Sequence, residues 1–371
     1  MSTVDADLVP AAASLAVPGD DPQVDAGRAP GRGLGRLALG LAPGFGLVVP
    51  VAAAAWEVGR LVPVVGGPAS AIILGMVVAA VRPAPAAARP GIDLVAKQAL
   101  QVAIVLLGTG LSLASLVRTG TGSLPVMLGT LAAALGGAWL FGRALGVRGD
   151  LATLIGVGTG VCGGSAIAAA SSVLGAGELD IAYSMSTIFL FNVVAVLLYP
   201  PIGHLLGMAQ HAFGLWAGTA INDTSSVVAA AYTYGPAAGS YAVIVKLTRS
   251  TAILPITLAL ALWRARGQRR AGTSPAGATA QLSWRRVFPW FILFFVLASV
   301  ANTAGVFSPT AQHDLSQAGL LMIILALAAI GLSARFGAML RTGHRPLLLG
   351  LLLWATVGTT SLVLQHLTGK L

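Results

Sequence analysis

Charge is what this sequence has least of. Only 9% of its 371 residues are Asp, Glu, Lys or Arg, against 56% apolar residues and a mean hydropathy of +0.85. A soluble domain carries about a quarter charged residues, so this chain could not cover its own surface with polar groups. A water-soluble globular fold is excluded. Cysteine is nearly absent as well: Cys162 stands alone, which excludes an internal disulfide and any Cys-x-x-Cys metal or redox centre. The five histidines, His204, His211, His313, His344 and His366, are scattered near the ends of apolar runs without ligand spacing, so no metal and no cofactor is expected. Acids are outnumbered 12 to 22, for a net charge of +10. Such a surplus points to nucleic acid only when it forms a basic patch on a soluble surface. Here the bases lie between long apolar runs, and no nucleic-acid partner is expected.

What the chain does have is apolar length. Residues 1–27 hold five acids (Asp5, Asp7, Asp20, Asp21, Asp25) and no base, so they lack the basic start and continuous apolar core of a signal peptide. Residues 1–34 are expected to be a disordered cytoplasmic tail, and residues 35–371 a transmembrane transporter domain in contact with the lipid bilayer. From about residue 37, runs of roughly 20 residues, each able to cross about 30 Å of hydrocarbon as a helix, recur at about 37–56, 61–81, 98–117, 124–142, 151–174, 181–201, 213–235, 240–263, 287–306, 316–334 and 346–366. The expected fold is an all-α polytopic membrane protein of 10–11 transmembrane helices.

Cytoplasmic loops retain Lys and Arg, and alternate connections differ sharply here. One set holds Arg28, Arg32, Arg36, Arg82, Arg89, Lys97, Arg143, Arg148, six arginines from Arg264 to Arg286, Arg335, Arg341 and Arg345, which is 17 of 22 bases. The other holds Arg60, Arg118 and Lys370. A cytoplasmic amino terminus and an outer carboxyl terminus follow. Trp56, Trp139, Trp263, Trp284 and Trp290 fall near span ends, as interfacial anchors do.

Two runs are unusual. Residues 151–174 and 213–235 carry glycine and polar clusters at their centres, and a shift of 60 residues superposes Gly158 on Gly218, Thr159 on Thr219, Ser165 on Ser225, and Ala169 and Ala170 on Ala229 and Ala230. Non-helical backbone is tolerated at membrane depth only where protein or a watery cavity surrounds it, so paired helix breaks point to a transporter site. Small residues also serve close helix packing, but packing does not ask for Asn222-Asp223-Thr224-Ser225. A second echo links Gly110-Leu111-Ser112 and the stretch to Gly129 with Gly331-Leu332-Ser333 and the stretch to Gly350. Loop parity requires that both broken segments cross or that both re-enter; two broken crossing helices are the favoured form.

The remaining bases, Lys246 and Arg249, lie three residues apart inside the span at 240–263, on one helical face. Charges at that depth need a partner or a cavity. Asp223 is the one strongly intramembrane acid, and an ion pair with either base is the simplest structural account. Two bases against one acid still leave a positive surplus, and half-helix amino termini, with N-cap chemistry at Ser165 and from Asn222 to Ser225, present the positive dipole end to an anion. The candidate substrate-binding residues are therefore Cys162, Gly163, Gly164, Ser165, Asn222, Asp223, Thr224, Ser225, Lys246 and Arg249. Asp223 is also the candidate carrier of a coupling ion. On this reading Arg249→Ala abolishes anion flux while leaving a folded protein.

The stretches VCGGSAIAAASSVL, LLYPPIG, FGLWAGTAINDTSSVVAAA and AVIVKLTRSTAILP resemble the YeiH-type sulfate exporter family of bacterial inner-membrane proteins, over roughly residues 70–365. The resemblance implies 10–11 helices related to bile-acid symporter and sodium/proton antiporter folds, with inverted repeats, paired broken helices, elevator-like alternating access and a small anion such as sulfate as substrate. Elevator carriers are often dimers, so a homodimer also fits. Many members resemble Gly-x-x-x-His-Asp/Glu-x-x-Gln across the second break, where this chain has Asn222 and Ser226; histidine-based proton coupling is weakened. An intramembrane enzyme with Ser165 or Cys162 as nucleophile lacks a histidine base within a span core, so no enzyme is expected. An anion channel is the remaining competitor.

Overall fold

The computed structural model describes residues 33–61, 66–270, 290–333 and 343–371; all but the last two residues of the expected tail lie outside them. Among the described residues every regular element is helical: α1 (Gly33–Leu61), α2 (Gly66–Val81), α3 (Arg89–Gly108), α4 (Leu113–Leu145), α5 (Asp150–Gly160), α6 (Gly164–Leu174), α7 (Glu178–Leu205), α8 (Gln210–Ala220), α9 (Thr224–Tyr234), α10 (Pro236–Ser250), α11 (Ile253–Arg270), α12 (Trp290–Thr303), α13 (Pro309–Leu332) and α14 (His344–Leu367), with a short 3-10 turn, Ala86–Ala88, before α3. Residues 40–371 form one compact unit; residues 1–39 are a separate one, described only where α1 begins.

Local chemistry sets the boundaries. Ser112 accepts from the Ser115 amide at 3.1 Å to start α4, and the left-handed Gly146 (φ 71°) ends it. Ser308 accepts from the Ala311 amide at 3.2 Å ahead of Pro309 to start α13; both serines satisfy amides that a first turn leaves free. Among the described residues seven segments are long and apolar enough to cross a membrane: Leu41–Leu61, Ala86–Gly108, Leu113–Leu145, Glu178–Leu205, Pro236–Arg264, Pro309–Leu332 and His344–Leu367. The polytopic all-α fold expected from composition is the one observed. One boundary moves: the run expected at 98–117 is α3, Arg89–Gly108, with Pro90 in its first turn, so Asp93 and Lys97 belong to a helix.

Helices α1, α2, α3, α12 and α13 share one apolar core around Ile72, Ile92, Ile104, Phe295, Ile323 and Leu327. Backbones come closest where α2 crosses α13: a Cβ built on Gly331 would stand 2.5 Å from the Ile72 carbonyl oxygen and 2.9 Å from the Gly75 Cα. Main chain cannot yield as a side chain does. Gly331→Ala should therefore lower stability by about 1–3 kcal/mol, the usual cost of overpacking, whereas Gly46→Ala, whose Cβ meets nothing within 4 Å, should leave the melting temperature unchanged. Equal melting temperatures for the two variants would refute this packing.

The second group is built around two hairpins. Each of α5, α6, α8 and α9 has 11 residues, about 16 Å of helix and half the thickness of the hydrocarbon. Arg264 bonds Asp150 at 3.5 Å, at the start of α5, and its guanidinium would lie 3.9 Å from a Cβ on Gly175, at the end of α6. Both ends of the first broken segment are therefore on one side. At the second, Gln210 Oε1 accepts from the amides of Ala237 and Ala238 at 3.0 and 3.2 Å, and the Phe213 and Tyr234 rings stack at 3.8 Å. The start of α8 thus meets the end of α9. The α10–α11 span touches the second hairpin's base at Ala237, both tips at Lys246 and Arg249, and the first hairpin's base at Arg264. The two segments are re-entrant and open at opposite ends, which corrects the expectation that each crosses. Arg264 and Gln210 mark the places where the two ends of each segment meet.

Candidate solute-binding site at the hairpin tips

The first tip is a glycine device. Gly163 has φ 69° and ψ −123°, a conformation closed to residues with a Cβ, and it starts α6 two residues ahead of Ser165, the N-cap expected from sequence. Ser165 instead lies exposed on the first turn of α6, beside the partly buried Gly164. The N-cap residue, a glycine, offers no side-chain acceptor to this helix. Cys162 is buried, 6% exposed.

The second tip is an N-cap. Asp223 Oδ2 accepts from the amides of Ser225 and Ser226 at 2.9 and 3.2 Å and from the Ser225 hydroxyl, which starts α9 at Thr224. From α7, Asn192 Oδ1 accepts from the amides of Asn222 and Asp223 at 3.2 and 3.3 Å. The tips face each other: a Cβ on Gly163 would be 3.7 Å from the Asn222 carbonyl carbon and the Asp223 nitrogen.

Lys246 and Arg249 stand behind both tips, each 0% exposed. The Lys246 ammonium donates to the carbonyls of Val161 (2.9 Å), Ile221 (3.1 Å) and Asn222. Arg249 donates from Nε to Gly160 (2.9 Å), from Nη2 to Thr159 (2.5 Å) and from Nη1 to Ile221 (3.4 Å). These oxygens are carbonyls orphaned where α5 and α8 stop, at the negative ends of two helix dipoles worth about half a charge each. Among the described residues neither base forms an ion pair with Asp223, whose carboxylate is committed to capping α9. The simple ion-pair account is thus replaced by cations on helix C-termini.

The structure accordingly brings Cys162, Gly163, Asn222, Asp223, Thr224, Ser225, Lys246 and Arg249 together at one depth, with Gly164 and Ser165 on the adjoining turn. It also supplies groups that the sequence reading passed over. Asn192 holds the second tip. Its Nδ2 and the Oδ1 of Asn222, both residues 2% exposed, are buried polar atoms without a hydrogen-bond partner among the described residues, and such groups call for a polar ligand. An open groove of about 310 Å³ lies between the second tip and α3 and α13; Asp93, Lys97, Phe189, Asp223, Ser225 and Ser333 line it. That is room for about ten waters. Asn192 could have been found as the lone carboxamide of its span, and Pro90 marked the helix that carries Asp93 and Lys97.

Comparison with known proteins agrees with a membrane protein. A family described as "Conserved hypothetical protein 698" matches residues 43–350. A UPF0324 membrane protein of Streptococcus pyogenes serotype M6 is 42% identical over 330 residues, covering 87% of this chain and 96% of its own length. A UPF0324 membrane protein of Streptococcus mutans serotype c is 40% identical, covering 88% and 97%. One of Fusobacterium nucleatum is 36% identical, covering 85% and 94%. No solved structure matches the chain.

Proposed function

Because this chain belongs to the membrane-protein family described as "Conserved hypothetical protein 698", we propose from its hairpin geometry that it is a secondary transporter of a small anion, and not an enzyme. One observation carries the reading: Lys246 and Arg249 place two fully buried positive charges at the tips with no carboxylate among their hydrogen-bond partners. The two helix C-termini offset about one of these charges; the remaining positive charge favours an anion, and the positive dipole end at the start of α6 adds to it. The unpartnered Asn192 and Asn222 amide groups suit a polar solute. The resemblance to the YeiH-type family makes sulfate the first candidate.

The opposite openings of the two hairpins support an inverted-repeat carrier with elevator-like alternating access, and a homodimer is part of that proposal. Replacing two crossings by two re-entrant hairpins leaves the parity of the loops unchanged. The charge asymmetry of the connections therefore still supports a cytoplasmic amino terminus in the bacterial inner membrane, with the Arg264 end inside.

An anion entering the groove meets Asp93 and Asp223, with Lys97 as the one cation on its wall among the described residues. Asp223, whose carboxylate borders this space at the second tip, is the proposed coupling group. Asn caps helices as well as Asp does. Asp223→Asn should thus hold stability within about 1 kcal/mol of the parent and preserve sulfate exchange in proteoliposomes while abolishing its response to an imposed pH gradient; an unchanged response would remove Asp223 from coupling. Trans-stimulated exchange supports the carrier, whereas unitary anion currents would replace it with a channel.

A further inference from the structure

The oxygens around the Lys246 ammonium come from both hairpins: Val161 at 2.9 Å from the first tip, Ile221 at 3.1 Å and Asn222 from the second. All are main-chain carbonyls freed where a helix stops, at two negative dipole ends. In carriers with interrupted helices, an oxygen set of this kind holds a sodium ion. Here the three N–H donors of an ammonium on the chain's own helix α10 fill it, in a side chain that is 0% exposed. Arg249 shares one of these oxygens, Ile221, at 3.4 Å from Nη1, while its Nε and Nη2 hold Gly160 and Thr159 further down the end of α5. It would keep that end in place if the ammonium were removed.

We propose that Lys246 is a tethered substitute for a monovalent metal cation, so that the two tips assemble and the carrier runs without Na⁺ or K⁺. Removing the ammonium converts the same oxygens into a site for a free monovalent cation of similar size. The consequence for coupling rests on the carrier reading above; the identity of the cation at the tips does not.

The test is thermal unfolding of the purified full-length protein in NaCl, KCl and choline chloride at equal ionic strength. The parent protein should unfold at one temperature in all three salts. Lys246→Ala should unfold earlier in choline and be restored by several degrees, saturably, by Na⁺ or methylammonium. Saturable stabilisation of the parent by Na⁺ overturns the proposal, as does a variant that responds to Na⁺ and choline alike. Should Lys246→Ala give no folded protein in choline, its recovery by purification in NaCl supports the proposal, and failure in both salts overturns it. Sulfate exchange by the parent should persist when choline replaces Na⁺; Na⁺-dependent exchange also overturns the proposal. Absence of flux under every condition would sink the carrier reading alone, since the unfolding results need no flux.

Discussion

Arg249→Ala will cost this protein its fold before it costs it any flux. The guanidinium donates to Thr159, Gly160 and Ile221, three carbonyls from two different hairpins, and it is 0% exposed. Alanine leaves those oxygens buried and unsatisfied, and it also empties the volume of a large side chain. Each buried acceptor left without its donor costs about 1–3 kcal/mol, so three of them weigh heavily against a total stability of about 5–15 kcal/mol for ordinary domains. Arg249→Lys should recover only part of the loss, because a point charge on a shorter stem cannot reproduce a fork directed at three oxygens. The measurement is folded yield and melting temperature of the purified variants. Parent-like values for Arg249→Ala would return to the expectation drawn from sequence, in which the arginine acts on the anion and the fold survives without it.

That difference shows what the chain discloses and what it withholds. Residues 151–174 and 213–235 announce their breaks through glycine and Asn222-Asp223-Thr224-Ser225, and each is long enough to cross the membrane. Crossing and re-entry preserve the same loop parity, so neither length nor charge decides between them. The deciding contacts are tertiary: Asp150 and Gly175 at Arg264, and Ala237 at Gln210. Lys246 and Arg249 are visible as charges in an apolar run, but their partners are not. Orphan carbonyls at the ends of α5 and α8 exist only once the helices have stopped, and a sequence with one nearby acid points to an ion pair instead. Asp93 and Lys97 were hidden for another reason. Hydropathy starts the helix after the charges, whereas the Pro90 in its first turn starts it before them.

Asn192 leads to the second large effect. Its Oδ1 accepts the amides of both Asn222 and Asp223, so one side chain on α7 fixes the backbone of the tip whose next residues cap α9 and line the groove. Asn192→Leu keeps the branched shape of the side chain and removes the acceptor. Two buried amides then lack partners, at about 1–3 kcal/mol each, and a tip released by even an ångström can cost a positioned site on the order of a hundredfold. The expected result is a melting temperature several degrees lower and sulfate exchange reduced by at least about tenfold. Asn192→Asp separates the two effects. A carboxylate can accept both amides, so stability should return toward the parent value, while the added negative charge stands at the tip proposed to meet the anion and exchange should stay low. Exchange at the parent rate in Asn192→Asp would move the solute away from this tip, and parent-like stability in Asn192→Leu would mean that the second tip is held in place without α7.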